Sequence, residues 1–336
     1  MRTQAAMSSS EVPSGSRITD FTVVETATGP LVVCADLRYG GVWSWDPLRD
    51  VWQDRPLAFA CAGDPMAAQY PDAENDIDSV AAVVSGGRVV LAAGGDEQGI
   101  ALWDLESGEL IRGASFNDDY TAAITEVRGE GPPLFVTATQ NADEILVWRP
   151  SAEEPPTELP NDDILGIGGV TAASGHGLAM AAAGGGDGAV TVWDLTRGES
   201  LASFYSEAGH VAAVSLSRLA EGPVVAAAAE NDIYVWDLTR DPEDDPIHDP
   251  LTGHEETIRS LDTVTFDDRC LAVTGGDDAT VRIWDLRTGT QVGDPLSGHK
   301  GSVETVRTAV LDGRHVALSA GRDGRINVWD LQALAR

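Results

Sequence analysis

The chain has 336 residues, 54 acids against 22 bases and a formal charge of −32. So acidic a surface repels phosphate backbones and anionic lipid, which excludes nucleic-acid and membrane-surface binding and fits a protein or peptide partner, a basic one where charge selects it. Hydrophobic content of 43% supports a sizeable core; no run nears the about 18 apolar residues of a membrane helix, and the opening MRTQAAMSSSEVPSGS lacks the apolar centre of a leader, so a soluble, cytoplasmic monomer is expected.

From the N-terminus onward the chain repeats itself. An apolar–x–apolar–Trp–Asp ending occurs as VWSWD (to Asp46), IALWD (to Asp104), ILVWR (to Arg149), VTVWD (to Asp194), IYVWD (to Asp237), VRIWD (to Asp285) and INVWD (to Asp330). The endings fall 43 to 48 residues apart except for one gap of 58. Pro250–Leu286 aligns without a gap on Pro295–Leu331, a period of 45. In the last unit an alternating run (VETVRTAV), an apolar run (HVALSAG), a tight turn (RDG) and a second alternating run (RINVW) follow in order. Period-two alternation bounded by Gly and Asp predicts half-buried strands. The Ala-rich LAMAAAGGGDG and VVAAAAEND hold the place of LAVTGGDD and are predicted as strands too. Their glycines end them too early for helices, and small side chains suit sheets packed face to face near a narrow axis. Cys34, Cys61 and Cys270 are too few for a disulfide framework and lack CxxC spacing; Cys34 and Cys270, in strand-like runs, read as small core residues.

A period of about 40–45 residues with a Trp-Asp ending marks propeller blades, and on these residues the chain resembles the WD-repeat β-propeller family from about residue 17 to 331. The resemblance implies an all-β fold: a seven-bladed β-propeller of four-stranded antiparallel blades, closed by an N-terminal strand that completes the last blade. The expected division is an N-terminal segment, 1–16, and a single propeller domain, 17–336. Alignment puts the closing strand near Gln4–Pro13, because the chain stops five residues after Leu331.

In that family a His ahead of the first strand bonds an Asp in the tight turn, and the network continues through Ser or Thr to the Trp indole. Carried onto this chain, it comprises His254, Thr274, Asp278 and Trp284 in blade 6, and His299, Ser319, Asp323 and Trp329 in blade 7. A buried indole and a buried imidazole each need a partner, and an unmet one costs about 1–3 kcal/mol. The competing reading is a Ser-His-Asp triad. Its recurrence in two blades, once with Thr, and its ending on Trp rather than a cleft favour architecture. His210 in AGHVAAV resembles the same His, but its turn offers only Glu230 or Asp232. The units ending at Trp103, Trp148 and Trp193 lack the Gly-His pair and are expected to rely on packing and to be looser. His176, His248 and His315 are scattered, read as surface or turn residues, and lack zinc spacing. The Gly-rich AAAGGGDGAV lacks a phosphate-loop lysine, and the acidic Asp241–Pro250 run reads as a solvated loop. No catalytic residue, cofactor or metal site is predicted.

Function then falls to loops. The long gap inserts AFACAGDPMAAQYPDAENDIDSV before a strand expected near Ile77. Its Met66, Tyr70, Asp72, Glu74, Asp76 and Asp78 make an aromatic, acidic loop suited to a basic peptide. On the same face, positions flanking the network supply Thr257, Arg259 and Asp277 in blade 6 and Ser302, Glu304 and Arg322 in blade 7. Arg38 and Tyr39 occupy the matching turn of blade 1, and Tyr120 the start of blade 3. The resemblance implies that this rim docks proteins or peptides, and Arg and Tyr are common interface anchors. The expected function is a non-enzymatic scaffold. The alternative, an enzyme or small-molecule binder using the central channel, needs polar groups converging on the axis, where the inner strands read as apolar or small (FTVVE, VAAVV, AAITEV, VTAAS, VAAVSL).

Overall fold

The structure, a computed structural model, describes all residues except 1–5, 38–40, 58–76, 96–98, 115–120, 130, 140–142, 151–154, 162, 176–177 and 335–336. Each repeat forms an antiparallel sheet whose strands pair in sequence order, and blade 4 gains a fifth, parallel strand, Arg128–Gly129, from the blade 3 repeat. From inside outward, blade 1 comprises Ile18–Thr26, Gly29–Asp36, Gly41–Asp46 and Val51–Asp54, and blade 2 Ser79–Ser85, Arg88–Gly95, Gly99–Asp104 and Leu110–Ala114. Blade 3 comprises Thr121–Glu126, Phe135–Thr139, Ile145–Trp148 and Thr157–Leu159, and blade 4 Gly169–Gly175, Leu178–Gly184, Ala189–Asp194 and Glu199–Tyr205. Blade 5 comprises Val211–Arg218, Pro223–Ala229, Asp232–Asp237 and Leu251–Thr252. In blade 6, Ile258–Phe266, Arg269–Gly276 and Thr280–Asp285 are edged by two short strands, Thr290–Gln291 and Leu296–Ser297. Blade 7 comprises Val303–Leu311, Arg314–Gly321 and Arg325–Asp330, completed by Ser8–Glu11.

That last strand closes the ring. Ser8 pairs with Val328 and Glu11 with Arg325, inside the window set by alignment. The inner strand of blade 2 begins at Ser79 rather than near Ile77; Ile77 is a buried plug whose carbonyl accepts Thr19 Oγ1 at 2.8 Å. A single helical turn, Leu331–Leu334, follows the last blade. Among the described residues no helix is long and apolar enough to cross a membrane.

The core lies between blades. Among the described residues the buried apolar side chains form seven clusters, one per junction. Each repeat's tryptophan packs backward: Trp103 joins the cluster of blades 1 and 2, Trp148 that of 2 and 3, and Trp284 that of 5 and 6. An indole buried in this way removes on the order of 200 Å² from water, a gross gain of about 5 kcal/mol. The second strand of each blade is covered on both faces, which explains its alanines: Ala181–Ala183 and Ala226–Ala229 are wholly buried strand residues. Cys34 and Cys270 are buried strand residues too, and burial pushes both thiols up.

Glycine sets the closest approach between blades. A Cβ on Gly275 would lie 2.4 Å from Val303 Cγ1, and one on Gly184 2.3 Å from Val211 Cγ1. The same notch thus serves the junctions of blades 6 and 7 and of blades 4 and 5. Gly275→Ala is expected to cost about 1–3 kcal/mol through overpacking. Val303→Ala should be less harmful in that background than alone, which a double-mutant cycle in urea checks.

Candidate functional site

The two faces of the ring carry different chemistry. The upper face bears the starts of the inner strands and the turns between second and third strands. In blade 6, Trp284 Nε1 donates to Thr274 Oγ1 at 2.9 Å, Thr274 Oγ1 lies 2.8 Å from His254 Nε2, and His254 Nδ1 lies 2.9 Å from Asp278 Oδ2. Blade 7 repeats the set: Trp329 Nε1 to Ser319 Oγ at 2.9 Å, Ser319 Oγ to His299 Nε2 at 2.8 Å, and His299 Nδ1 to Asp323 Oδ1 at 3.0 Å. A neutral imidazole with its proton on Nδ1 satisfies every member, the hydroxyl accepting from the indole and donating to Nε2. The histidine side chains are 0% and 1% exposed, enclosed within their blades.

The network also fixes the acid response. Burial works to raise the Asp278 pKa, but hydrogen bonds from His254 and Thr280 outweigh it and hold the carboxyl well below the usual range. Asp323 is lowered likewise, burial being outweighed by His299 and by the amides of Lys300 and Arg325. With the folded pKa below an unfolded value of about 3.9, this stability is complete above that value and is lost as pH falls through the folded pKa. Asp278→Asn is therefore expected to be less stable than wild type at neutral pH and to lose less on acidification below about pH 4, checked by urea midpoints across that range.

Indoles elsewhere find other acceptors. Trp148 Nε1 donates to Thr137 Oγ1 at 2.9 Å, Trp193 Nε1 to the Pro160 carbonyl at 2.6 Å, and Trp45 Nε1 to Asp50 Oδ1 at 2.9 Å. Blade 5 has no place for the network aspartate. Its turn is cut to Glu230 and Asn231, with Ala229 paired to Asp232 and Glu230 at a φ of 53°. His210 is exposed, unlike His254, and its carbonyl accepts the Glu230 amide. Nor is His315 a surface or turn residue: it lies on a strand, stacked on Phe266 with ring centroids 4.5 Å apart. His248 ties the acidic loop to blade 6, its Nε2 3.1 Å from the Leu286 carbonyl.

On the rim, the structure brings six of the sequence-predicted residues together. Arg259 holds Asp277 through Nε at 3.0 Å and Nη2 at 2.6 Å, and Ser302 Oγ donates to Asp277 Oδ1 at 2.7 Å. Arg322 Nε donates to Glu304 Oε1 at 2.8 Å, and Arg17 Nη2 lies 3.3 Å from the same oxygen. The Thr257 carbonyl accepts the Asp277 amide at 2.9 Å. The Asp277 pKa is lowered chiefly by Arg259. A β-bulge aims this chemistry upward. The register skips one residue at the start of the inner strand, leaving Thr19, Arg259 and Glu304 as the extra residues of blades 1, 6 and 7.

The Thr257–Asp277 backbone bond recurs as Ser302 to Arg322 at 3.1 Å and Arg17 to Leu37 at 3.0 Å. Arg17 and Leu37 are therefore rim residues as well. They do not stand out in sequence because blade 1 lacks the Gly-His pair; placing GSRITDF over the starts of blades 6 and 7 exposes Arg17, and the end of the second strand, Asp36, then leads to Leu37. Asp78 is exposed at the start of blade 2, its amide donating to the Gly94 carbonyl at 3.0 Å. Arg38, Tyr39, Tyr70, Asp76 and Tyr120 lie outside the described residues, as do Met66, Asp72 and Glu74.

Toward the axis, polar groups stitch blades together. Asp20 Oδ2 accepts Ser79 Oγ at 3.1 Å and the Val80 amide at 3.0 Å from blade 2, while Oδ1 accepts Thr305 Oγ1 at 3.1 Å and Arg307 Nη2 at 3.0 Å from blade 7. Ser79 Oγ accepts the Ile124 amide of blade 3, and Ser260 Oγ the Val306 amide of blade 7. The equivalent positions in blades 3, 4 and 5 are Ala123, Gly169 and Ala213, which have no side-chain acceptor.

The lower face shows what the aspartates of the Trp-Asp endings do. Asp104 Oδ1 accepts the amides of Glu106 and Ser107, Asp194 those of Thr196 and Arg197, and Asp285 those of Arg287 and Thr288. Each caps the turn to the outer strand. Arg149, at the same position in blade 3, has no carboxylate to do so.

A family model described as "WD domain, G-beta repeat" matches residues 245–285 and 289–330, the two units with complete networks. The chain is 30% identical over 106 residues to autophagy-related protein 16 of Arabidopsis thaliana, covering 32% of this chain and 20% of that protein. It is 31% identical over 106 residues to F-box/WD repeat-containing protein sel-10 of Caenorhabditis elegans, covering 32% and 17%. It is 30% identical over 112 residues to the guanine nucleotide-binding protein subunit beta of Zea mays, covering 32% and 28%. The chain thus spans less than a third of the length of these relatives. Blades 6 and 7 carry the recognisable WD repeat, and the five units before them fold into the same Trp-anchored sheet in one closed ring, so the chain has the fold of a seven-bladed WD-repeat β-propeller.

Proposed function

We propose that the chain is a non-catalytic interaction scaffold that docks a protein segment on the upper rim of blades 6, 7 and 1. The observation that carries this reading is the convergence there of Arg259, Arg322, Arg17 and exposed Leu37 from three successive blades. Arginine forks beside an aliphatic contact are the chemistry of interface anchors. The names of the relatives point the same way: one combines WD repeats with an F-box, and another is a subunit of a guanine nucleotide-binding protein. A channel site is disfavoured because Asp20, Ser79, Ser260, Thr305 and Arg307 are engaged in joining blades.

Affinity capture from native lysate tests it. A partner held by wild type should be lost from Arg259→Glu/Arg322→Glu and kept by a lower-face control, Arg88→Glu/Arg314→Glu. Loss from the control alone would move the site to the lower face. A small molecule seen by native mass spectrometry, with no protein retained, would favour the channel.

A further inference from the structure

Blade 4 ends in an edge strand unlike the others. Glu199–Tyr205 runs for 7 residues, whereas the outer strands of the other blades have 2 to 5. Ser203 pairs with Thr191 and Tyr205 with Ala189, and the Ser206 amide donates inward to the Gly188 carbonyl. By the alternation of an antiparallel ladder, Ala202 and Phe204 then bond to the third strand, while the amides and carbonyls of Ser203 and Tyr205 point out of the sheet. The hydroxyls of Thr191 and Ser203, 3.0 Å apart, fit such a non-hydrogen-bonded pair. Among the described residues no backbone bond reaches the outward groups. Proteins blunt a free edge with a charge, a proline or a short strand. The outer strand of blade 2 carries Arg112 at its middle, but from Ser200 to Tyr205 there is neither charge nor proline. The one irregularity, a bulge at Leu201, leaves Ala202–Tyr205 regular.

Apolar side chains and carboxylates frame this edge. Leu201 and Tyr205 are 46% and 59% exposed, and Leu165, on the connection from blade 3, is 66% exposed. That connection lies against the strand: Ser203 Oγ donates to Asp163 Oδ2 at 2.6 Å, and the Leu165 carbonyl accepts the amide of Gly186, in the turn leading to Ala189. Asp163, Asp187, Glu199 and Glu207 are exposed around it. Of the basic groups beside them, Arg197 is turned to Asp194 at 3.7 Å, and His210 lies next to Gly186. We propose that the outer edge of blade 4 is a strand-addition site, taking an extended protein segment of alternating apolar residues flanked by lysine or arginine, laid antiparallel to Ala202–Tyr205. Main-chain bonds to Ser203 and Tyr205 supply the affinity, Leu165, Leu201 and Tyr205 select the side chains, and the carboxylates select the basic flanks. The formal charge of −32 on every molecule opposes a second copy of the chain in this place. The site lies across the ring from the rim of blades 6, 7 and 1 and stands apart from the docking reading above.

Fluorescence anisotropy of a labelled peptide pool, Lys-X-Thr-X-Thr-X-Lys with X drawn from Val, Ile, Leu, Phe and Tyr, titrated with the full chain, tests it. The pool should bind saturably. Methylating the X amides should weaken binding about tenfold or more and methylating the threonine amides should not, because only alternate amides of an antiparallel strand face its neighbour. Leu201→Lys/Tyr205→Lys should weaken it about tenfold, since lysine on the edge repels both an apolar strand and its basic flanks. Leu48→Lys/Val51→Lys, at exposed positions of blade 1, should leave it unchanged. Glutamate in place of the terminal lysines should weaken it as well. The proposal falls if the pool does not saturate, if both methylated pools bind alike, if the glutamate pool binds equally, or if Leu201→Lys/Tyr205→Lys binds as wild type does. Sedimentation of the chain alone examines the other occupant: a dimer that Leu201→Lys/Tyr205→Lys dissociates would assign the edge to a second copy and overturn the proposal.

Discussion

Asp20→Ala is expected to destabilise the protein by about 3–5 kcal/mol, because it strips the carboxylate from a buried ion pair and several amide and hydroxyl donors at once. The Asp20 and Arg307 side chains are 10% and 19% exposed, so without Asp20 a mostly buried guanidinium is left with the Phe21 ring, 6.0 Å from its centroid, and the Val306 carbonyl. The Val80 amide and the Ser79 hydroxyl lose their acceptor in the same step. Position magnifies the effect. Neighbouring blades elsewhere are joined by the chain, whereas blades 7 and 1 meet where the ring closes, held by the N-terminal strand, Asp20 and the cluster of Val12, Phe21, Trp45 and their neighbours. Asp20→Asn keeps an acceptor but not the charge and should cost less, about 1–3 kcal/mol. Urea unfolding with an unchanged slope measures both. If Asp20→Ala fell within about 0.5 kcal/mol of wild type, like an ordinary surface change, the stitching would not be what holds the ring shut.

The blades were legible in sequence because each repeats one pattern, and the Trp-Asp ending marks its third strand even where other signals have decayed. The Ala-rich segments could be placed as strands only by their position in the repeat, since alanine alone favours helix. Other features were hidden for physical reasons. Asp20, Ser79, Ser260 and Thr305 do equivalent work with three different side chains, each read by a residue on another blade, so identity does not align them. Blade 5 lost its network through a shortened turn, not through loss of a histidine, and His210 is exposed as a result. The rim grammar found Arg259, Asp277, Ser302, Glu304 and Arg322 because they flank complete networks. It passed over Arg17 and Leu37, whose blade kept the backbone bond but not the Gly-His pair.

The unequal standing of complete and partial networks leads to a second large effect. From sequence, loss of Trp284 should be worse than loss of Trp148, because blade 6 alone of the two has the His and Asp. Yet both indoles donate to a wholly buried threonine at 2.9 Å, Thr274 and Thr137. Changing either Trp to Phe breaks the same bond and opens a similar void, so the hydroxyl is the better probe. Thr274→Val removes the acceptor of Trp284 and the partner of His254 Nε2 together, leaving a buried imidazole tied only through Nδ1 to Asp278. Thr137→Val removes the hydroxyl that accepts the Trp148 indole and loses a 3.5 Å contact to the Leu146 carbonyl. With about 1–3 kcal/mol for each buried group left unsatisfied, Thr274→Val should cost about 2–4 kcal/mol and Thr137→Val about 1–2 kcal/mol. Thermal melts of the two variants decide the matter. Equal losses would mean that the histidine adds nothing once the indole is satisfied, and that blades lacking it are as firmly held as blades 6 and 7. The expected order would mean that hydrogen bonding concentrates stability at the complete blades, beside the rim arginines.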